Sequence, residues 1–212
     1  MTSVVLYYRN MQGPWDTFHK EKLTKIFTEK KKVLDIGGGL RIDPHKNNRK
    51  KQNDWLDEYK GNVEYIVMDK VPDYHPDIVG DIHALPFPDN SIDAIVCIAV
   101  LEHVEEPQKA VREIYRVLKP GGYCYLYAPF LFYYHPMKGY YGDFYRFTRD
   151  GFEYMTKDFS HVEIQNVRGA FATVMNLFPF FSKHTAVFDY FDKWFGKLRS
   201  NQASGYNVFC IK

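Results

Sequence analysis

Three consecutive glycines, Gly37, Gly38 and Gly39, follow the apolar run KVLDI. Glycines placed just after a strand permit positive φ and leave main-chain N–H groups bare for a ligand to approach. Asp35, two residues before Gly37, is placed to hold that loop by accepting backbone hydrogen bonds. Asp69 closes the next apolar run, EYIVMD, where a carboxylate can accept both hydroxyls of a ribose. Asp81 closes a third run and is followed by Ile82. A carboxylate there can take an exocyclic amine of adenine, with a backbone N–H beside it for a ring nitrogen. Any one of these acids alone is more often a surface acid. Glycine, aspartate and aspartate at three successive strand ends describe a berth for a nucleoside.

The elements that must position these residues are legible from periodicity. Segments 32–37, 64–69, 78–81 and 92–98 are short and β-branched and predict buried strands. Segments 54–60 and 107–118 predict helices. In the second of these, Ala110, Val111, Ile114, Val117 and Leu118 form one stripe, and Pro107 suits the first turn. KPGG, 119–122, predicts a helix stop that hands over to a strand at 123–128. Strands separated by helices imply right-handed crossovers and a parallel sheet covered on both faces, a doubly wound α/β domain. Sites in such sheets lie at the carboxyl ends of the strands, where the glycines and acids fall.

Two cofactor classes fit that constellation, dinucleotides and S-adenosylmethionine. The dinucleotide fingerprint G-x-G-x-x-G needs a small residue at position 42, which is Ile42. Downstream, GDIHALPFPDNSIDAIVCIAVLEHV (80–104) and EIYRVLKPGGYCYLYAP (113–129) closely resemble the class I S-adenosylmethionine-dependent methyltransferases, in particular the small-molecule group called type 11. The resemblance runs from about residue 33 to 129. It implies a single Rossmann-like domain: a mostly parallel seven-stranded sheet with an antiparallel last strand and helices on both faces. It implies S-adenosyl-L-methionine as cofactor, its methionine part held by Asp35, Gly37, Gly38 and Gly39, its ribose by Asp69 and its adenine by Asp81 with Ile82. It places Ala99, after the fourth strand, at the wall between cofactor and acceptor. The family loop commonly has a third spaced glycine where this chain has Arg41. That departure bears on the path of the loop after Gly39.

The acceptor side is expected downstream of the fourth strand. Glu102 and His103 either face the site or cap local backbone. The segment 128–152, APFLFYYHPMKGYYGDFYRFTRDGF, covers the edge of the sheet where a transferred methyl group would lie. His135 is the expected general base, having a pKa suited to proton removal near neutrality, with Asp143 as its orienting partner or a substrate anchor. The rival reading packs His135 beside Pro136 and uses Asp143 as a cap. Tyr145 and Arg146 are expected to contact substrate, Arg146 pairing a carboxylate or phosphate, or Asp143 itself. YGDFYRFT resembles a D-[FY]-[WY]-R-[FY]-T segment of methyltransferases that modify sugars and glycans, which implies a sugar or glycan-precursor hydroxyl as acceptor. Carbon or nitrogen methylation of a quinone or amine is the enzymatic alternative, and a cofactor-binding module without chemistry is the other. No catechol-type metal arrangement is evident, so no metal requirement is expected.

Composition sets the remaining bounds. The 212 residues suit one domain, and 28 basic against 26 acidic residues, net +2, argue against a nucleic-acid partner. The one dense basic cluster, HKNNRKK at 45–51, reads as a solvated loop. Cys97, Cys124 and Cys210 lie in apolar runs without C-x-x-C pairing and read as small buried hydrophobes. No basic leader precedes an apolar core, and no apolar run approaches the ~20 residues that cross a bilayer, so a soluble cytoplasmic protein is expected. The layout is an N-terminal helical segment (1–31), a cofactor core (32–130), an acceptor-side segment (131–160) and an aromatic insertion (169–205). The insertion separates strands expected at 161–168 and 206–211 and is expected to hold one or two helices, one at 189–198. A lid, a homodimer contact, core packing and a dock for a lipid-linked substrate at a membrane surface are its candidate roles.

Overall fold

A computed structural model of the chain describes residues 13–38, 53–178, 180–181 and 185–212. Gly39, Arg41 and the basic cluster at 45–51 lie outside the described residues. Seven strands form one sheet in the order β3-β2-β1-β4-β5-β7-β6. They are β1 (Lys32–Ile36), β2 (Glu64–Asp69), β3 (Ile78–Val79), β4 (Ile92–Ile98), β5 (Leu118–Pro129), β6 (His161–Val167) and β7 (Gly205–Ile211). Strands β1 to β5 pair in parallel, and β7 is inserted antiparallel between β5 and β6. This is the expected Rossmann-like class I methyltransferase sheet. Reversal of order between β1 and β4 opens the crevice in which such sheets bind ligands.

Alternation along the strands builds two cores. Leu34, Ile95, Cys97, Cys124, Leu126, Val208 and Cys210 point to one face, and Val33, Ala94, Val96, Tyr125 and Phe209 to the other. Helix α1 (Pro14–Glu29) covers the second face with Leu23, Ile26 and Phe27. Helix α2 (Pro107–Val117) covers the first with Ala110, Val111, Ile114 and Val117, the stripe read from sequence. All three cysteines are free and buried. Arg116 on α2 explains the LPFPDN stretch: its guanidinium donates to the carbonyls of Leu85 and Phe87 and to the carboxylates of Asp89 and Glu113, locking that loop against the helix.

Several boundaries differ from the sequence reading. Segment 54–62 forms a 3-10 turn, pinned by the buried Leu56 and not by a helical stripe. Strand β3 stops at Val79, and Asp81 sits in the following turn, where its Oδ1 accepts from His83 N at 2.9 Å. KPGG is not a break: β5 starts at Leu118 and bulges, pairing Leu118 with Ile92 and then Tyr123 with Ala94. The insertion holds two helices, α4 (Ala170–Asn176) and α5 (Thr185–Trp194), after α3 (Arg149–Met155). Helix α5 ends before the expected 198, because Gly196 turns left-handed at φ 66° and Lys197 N closes on Asp192 O at 2.6 Å.

The inward side of α5 is also unexpected. Tyr190, Trp194 and Phe195 stay exposed, whereas Asp192 is fully buried and accepts from Phe171 N and Ala172 N, both at 2.9 Å, tying α5 to the start of α4. Asp189, one turn earlier, is half-buried; burial first, and then Asp192, push its carboxyl up to about 7, against the pull of Arg168. Its folded-state pKa exceeds the unfolded value of about 3.9, so the folded protein holds the extra proton between those values and stability falls as pH rises from ~4 to ~7. Asp189→Asn is therefore expected to stabilise the protein by about 1–2 kcal/mol at pH 8, after allowance for solvent screening, and by almost nothing at pH 4. Urea unfolding at both pH values checks this; an equal effect at both would remove the ionisation as its cause.

Candidate active site

The carboxyl ends of four strands open into one cavity of about 370 Å³. Gly37 follows β1 with φ 77°, its N–H held by Met68 O at 2.7 Å. A Cβ at this position would lie 2.3 Å from Val100 Cγ2, so only glycine leaves both the turn and the cavity wall intact. Ala99 follows β4 and is itself left-handed, at φ 55°, a conformation costly for alanine that marks over-determined, often functional, backbone. Gly37, Asp69, Asp81, Ile82, Ala99 and His103 all line the cavity.

The acids are held differently. Asp69 is nearly buried, and its Oδ1 accepts from Val71 N at 2.9 Å. Asp81 is more exposed; burial works to raise its carboxyl, but the backbone N–H and ring of His83 (Nδ1 at 2.7 Å) hold it below the usual value. Asp35 is completely buried on β1, takes the Tyr65 hydroxyl at 2.5 Å and does not line the cavity. Gly38, left-handed at φ 54°, lies outside the lining as well.

The roof comes from the segment after β5. Met137, Tyr140, Tyr141 and Phe144 close over the cavity and meet Tyr74 from the loop after β2. Tyr74 and Tyr140 stack at 5.9 Å, and Tyr140 Oη donates to Asp73 at 2.9 Å. Sequence reasoning marked this segment as acceptor-side, but Tyr74 carried no signal of its own. No described residue of the insertion 169–205 lines the cavity.

His135 and Asp143 are brought together as expected: Asp143 Oδ2 accepts from His135 N at 2.8 Å and lies 3.2 Å from His135 Nδ1. Neither lines the cavity. Arg146 is committed inside the fold and not to a substrate. It forks onto Asp143 at 2.5 and 2.7 Å and donates to the carbonyls of Tyr145, Tyr133 and Phe132, which engages all five guanidinium N–H groups. That fork pulls the Asp143 carboxyl down to about 2. Tyr145 likewise turns to the Glu105 carbonyl, at 2.9 Å. His103 lines the cavity with its Nδ1 2.6 Å from the Gly142 carbonyl. The buried Glu102 carboxylate, 3.8 Å away, raises the His135 pKa above the ordinary imidazole value, against its partial burial.

Residues 39–126 match the family described as "Methyltransferase domain". That segment of the chain carries a methyltransferase domain.

The chain is 45% identical over 62 residues to the ubiquinone/menaquinone biosynthesis C-methyltransferase UbiE of Escherichia fergusonii, a match spanning 29% of this chain and 20% of that protein. It is 56% identical over 45 residues to a demethylmenaquinone methyltransferase of Renibacterium salmoninarum, spanning 21% and 19% of the two chains. The matches thus cover about a fifth of the length of these relatives. Among solved structures, a SAM-dependent methyltransferase from Archaeoglobus fulgidus superposes with a TM-score of 0.61 at 15% identity, over 91% of this chain and 90% of that one. A phosphoethanolamine N-methyltransferase 2 of Haemonchus contortus, in complex with S-adenosyl-L-methionine, gives 0.56 at 17% identity over 95% and 54%. At those identities the likeness concerns the fold alone.

The residues present fit the family's cofactor. The Gly37 cradle has no room for a side chain, a nearly buried carboxylate stands at the end of β2, and the cavity volume is within the range of small-ligand sites. Among the described residues, no helix is long and apolar enough to cross a membrane.

Proposed function

We propose that this chain transfers the methyl group of S-adenosylmethionine to a small-molecule acceptor, and that the acceptor is a quinone-type aromatic ring methylated at carbon. The observation that carries methyl transfer is the convergence of Gly37, Asp69, Asp81, Ile82 and Ala99, from four strand ends, on one cavity. When bound, S-adenosylmethionine supplies an electrophilic methyl carbon on a sulfonium centre. The chain's own part is placement. The bare backbone at Gly37 accommodates the methionine end, Asp69 takes the ribose hydroxyls, and Asp81 with the Ile82 N–H reads the adenine edge. Ala99 and His103 divide the cofactor end from the acceptor end. Holding an acceptor in line with the methyl group contributes on the order of 7–11 kcal/mol.

The ring acceptor is favoured by the names of the relatives, which concern quinones and not the sugar hydroxyl suggested by YGDFYRFT. The roof suits it too, since the four aromatic side chains Tyr74, Tyr140, Tyr141 and Phe144 line the cavity, and aromatic groups pack well against one another. Release of S-adenosylhomocysteine, followed with a short-chain demethylmenaquinol and with a panel of nucleotide sugars, tests the acceptor. Turnover on the quinol alone supports the proposal, and turnover on a sugar alone replaces it. Cofactor binding without turnover on any acceptor would leave a binding module.

The cofactor half has its own test. Asp69→Ala is expected to weaken S-adenosylhomocysteine binding by about 1–3 kcal/mol, the scale of a lost charge-assisted hydrogen bond, or roughly 5- to 150-fold by calorimetry. Unchanged affinity would take Asp69 out of the ribose site.

A further inference from the structure

Beside the cavity lies a group of polar atoms that methyl transfer as described does not use. Glu102 is completely buried, and neither of its carboxylate oxygens has a hydrogen-bond partner among the described residues. Its Oε1 faces two imidazoles, 3.8 Å from His103 Nε2 and 3.8 Å from His135 Nε2. In both rings the other nitrogen faces oxygen acceptors; Arg146 Nη2 also approaches His135 Nδ1, at 3.4 Å, but gives its two N–H groups to the closer Tyr133 carbonyl and Asp143 carboxylate. His103 Nδ1 lies 2.6 Å from the Gly142 carbonyl, and His135 Nδ1 lies 3.0 Å from the Tyr133 carbonyl and 3.2 Å from Asp143 Oδ2. Only an N–H can face those oxygens favourably, so Nδ1 carries the proton in each neutral ring. Each Nε2 then turns a lone pair toward the Glu102 carboxylate. With both rings neutral and Glu102 ionised, three acceptors converge with no donor among them, and 3.8 Å exceeds hydrogen-bond reach. A buried carboxylate left in that state costs several kcal/mol.

We propose that Glu102, His103 and His135 bind a divalent transition-metal ion. Their ligand atoms all lie within 4.8 Å of one another. Bonds of about 2.0–2.2 Å in tetrahedral geometry place ligand atoms roughly 3.4 Å apart, so each Glu102–imidazole distance of 3.8 Å needs to close by a few tenths of an ångström, and the imidazole pair, within 4.8 Å, by at most about 1.4 Å. The Nδ1 hydrogen bonds supply the outer support that fixes tautomer and ring orientation in such sites. Two imidazoles and one carboxylate select zinc or ferrous iron over magnesium or calcium, which take all-oxygen sets. Three protein ligands leave a coordination position open, and His103 already forms part of the cavity wall. An acceptor oxygen bound at that position would lose its proton at lower pH. This departs from the absence of a metal requirement expected from sequence, and it rests on the cluster, not on the identity of the acceptor.

The test is Zn²⁺ titrated by calorimetry into chelator-treated protein, with Co²⁺ absorption as the spectroscopic readout. One equivalent is expected to bind and to raise the thermal midpoint. Glu102→Gln and, separately, His135→Gln are each expected to weaken Zn²⁺ binding by about 100-fold or more, beyond the 10–100-fold cost of outer-sphere losses. His161→Asn, a substitution at an exposed histidine on β6, is expected to leave Zn²⁺ binding unchanged. Two ligand variants keep the test decisive if one fails to fold. Absence of stoichiometric Zn²⁺ binding would overturn the proposal and leave an imidazolium on His135 as the charge facing Glu102. Zn²⁺ binding that survives both ligand substitutions would overturn it equally. Neither result touches the cofactor assignment, which S-adenosylhomocysteine binding reads independently.

Discussion

Replacing Arg146 with methionine is expected to cost about 3–5 kcal/mol of stability, the penalty for removing one partner of a buried ion pair. The Asp143 side chain it would abandon has no exposed surface, and three main-chain carbonyls would lose their donor at once. Those carbonyls belong to Phe132, Tyr133 and Tyr145, so the guanidinium fastens the start of the roof segment to its end. For a domain of this size the loss corresponds to a fall of roughly 6–20 °C in the melting midpoint. Arg146→Lys should recover only part of it, because an ammonium cannot fork onto a carboxylate and reach three carbonyls together. The double variant Asp143→Asn with Arg146→Met should be less damaged than Arg146→Met alone, since no charge is then stranded. A loss below ~1 kcal/mol in Arg146→Met would mean that water reaches the pair in solution.

Gly37→Ala is expected to lower S-adenosylhomocysteine affinity by roughly 100-fold, near 2.7 kcal/mol. Two penalties act together. A non-glycine residue at φ 77° carries a backbone cost of about 1–2 kcal/mol, and the added Cβ meets Val100 Cγ2 at 2.3 Å. Val100 is itself a wall of the cavity, so its displacement narrows the space meant for the cofactor. Gly121 is the matched control, with φ 73° and nothing within 4 Å of its would-be Cβ. It lies at the start of β5, the opposite end of the sheet from the cavity. Gly121→Ala should therefore lower stability by the backbone cost and leave affinity alone. Equal affinity losses in the two variants would show that general destabilisation, and not the cradle, is responsible.

The Glu102 cluster and the Arg146 fork form one continuous structure. Arg146 holds Asp143, Asp143 holds the backbone and ring of His135, and His135 faces Glu102. As isolated letters, His135 and Asp143 suggest a base and its orienting acid, with Arg146 reaching for substrate. Folded, Arg146 is consumed by the scaffold, and the group left wanting a cation is Glu102.

Much of the cavity wall is readable before folding. Gly37, Asp69, Asp81 and Ala99 announce themselves because each sits next to the strand that carries it, and strand identity is written in a short β-branched run. The helical stripe on α2 and the burial of the three cysteines are legible for the same reason, since periodicity and local apolarity are properties of neighbours along the chain. The basic stretch at 45–51 reads as solvated loop, and it falls outside the described residues. The insertion is only half legible. Its helical content follows from length and aromatic spacing, but the buried side of α5 carries Asp192, while Trp194 is exposed. Aromatic spacing marks a face without saying whether anything covers it.

By itself, then, the chain determined a doubly wound sheet, the end of that sheet where the cavity opens, and Gly37, Asp69 and Asp81 in its wall, because each of these depends on residues a few positions apart. Tertiary structure alone decided that Tyr74 meets Tyr140 over the cavity, that the donors of Arg146 are spent on its own fold, and that Glu102 is sealed between two imidazoles. Those outcomes depend on contacts between segments tens of residues apart, whose distances no one-dimensional pattern encodes.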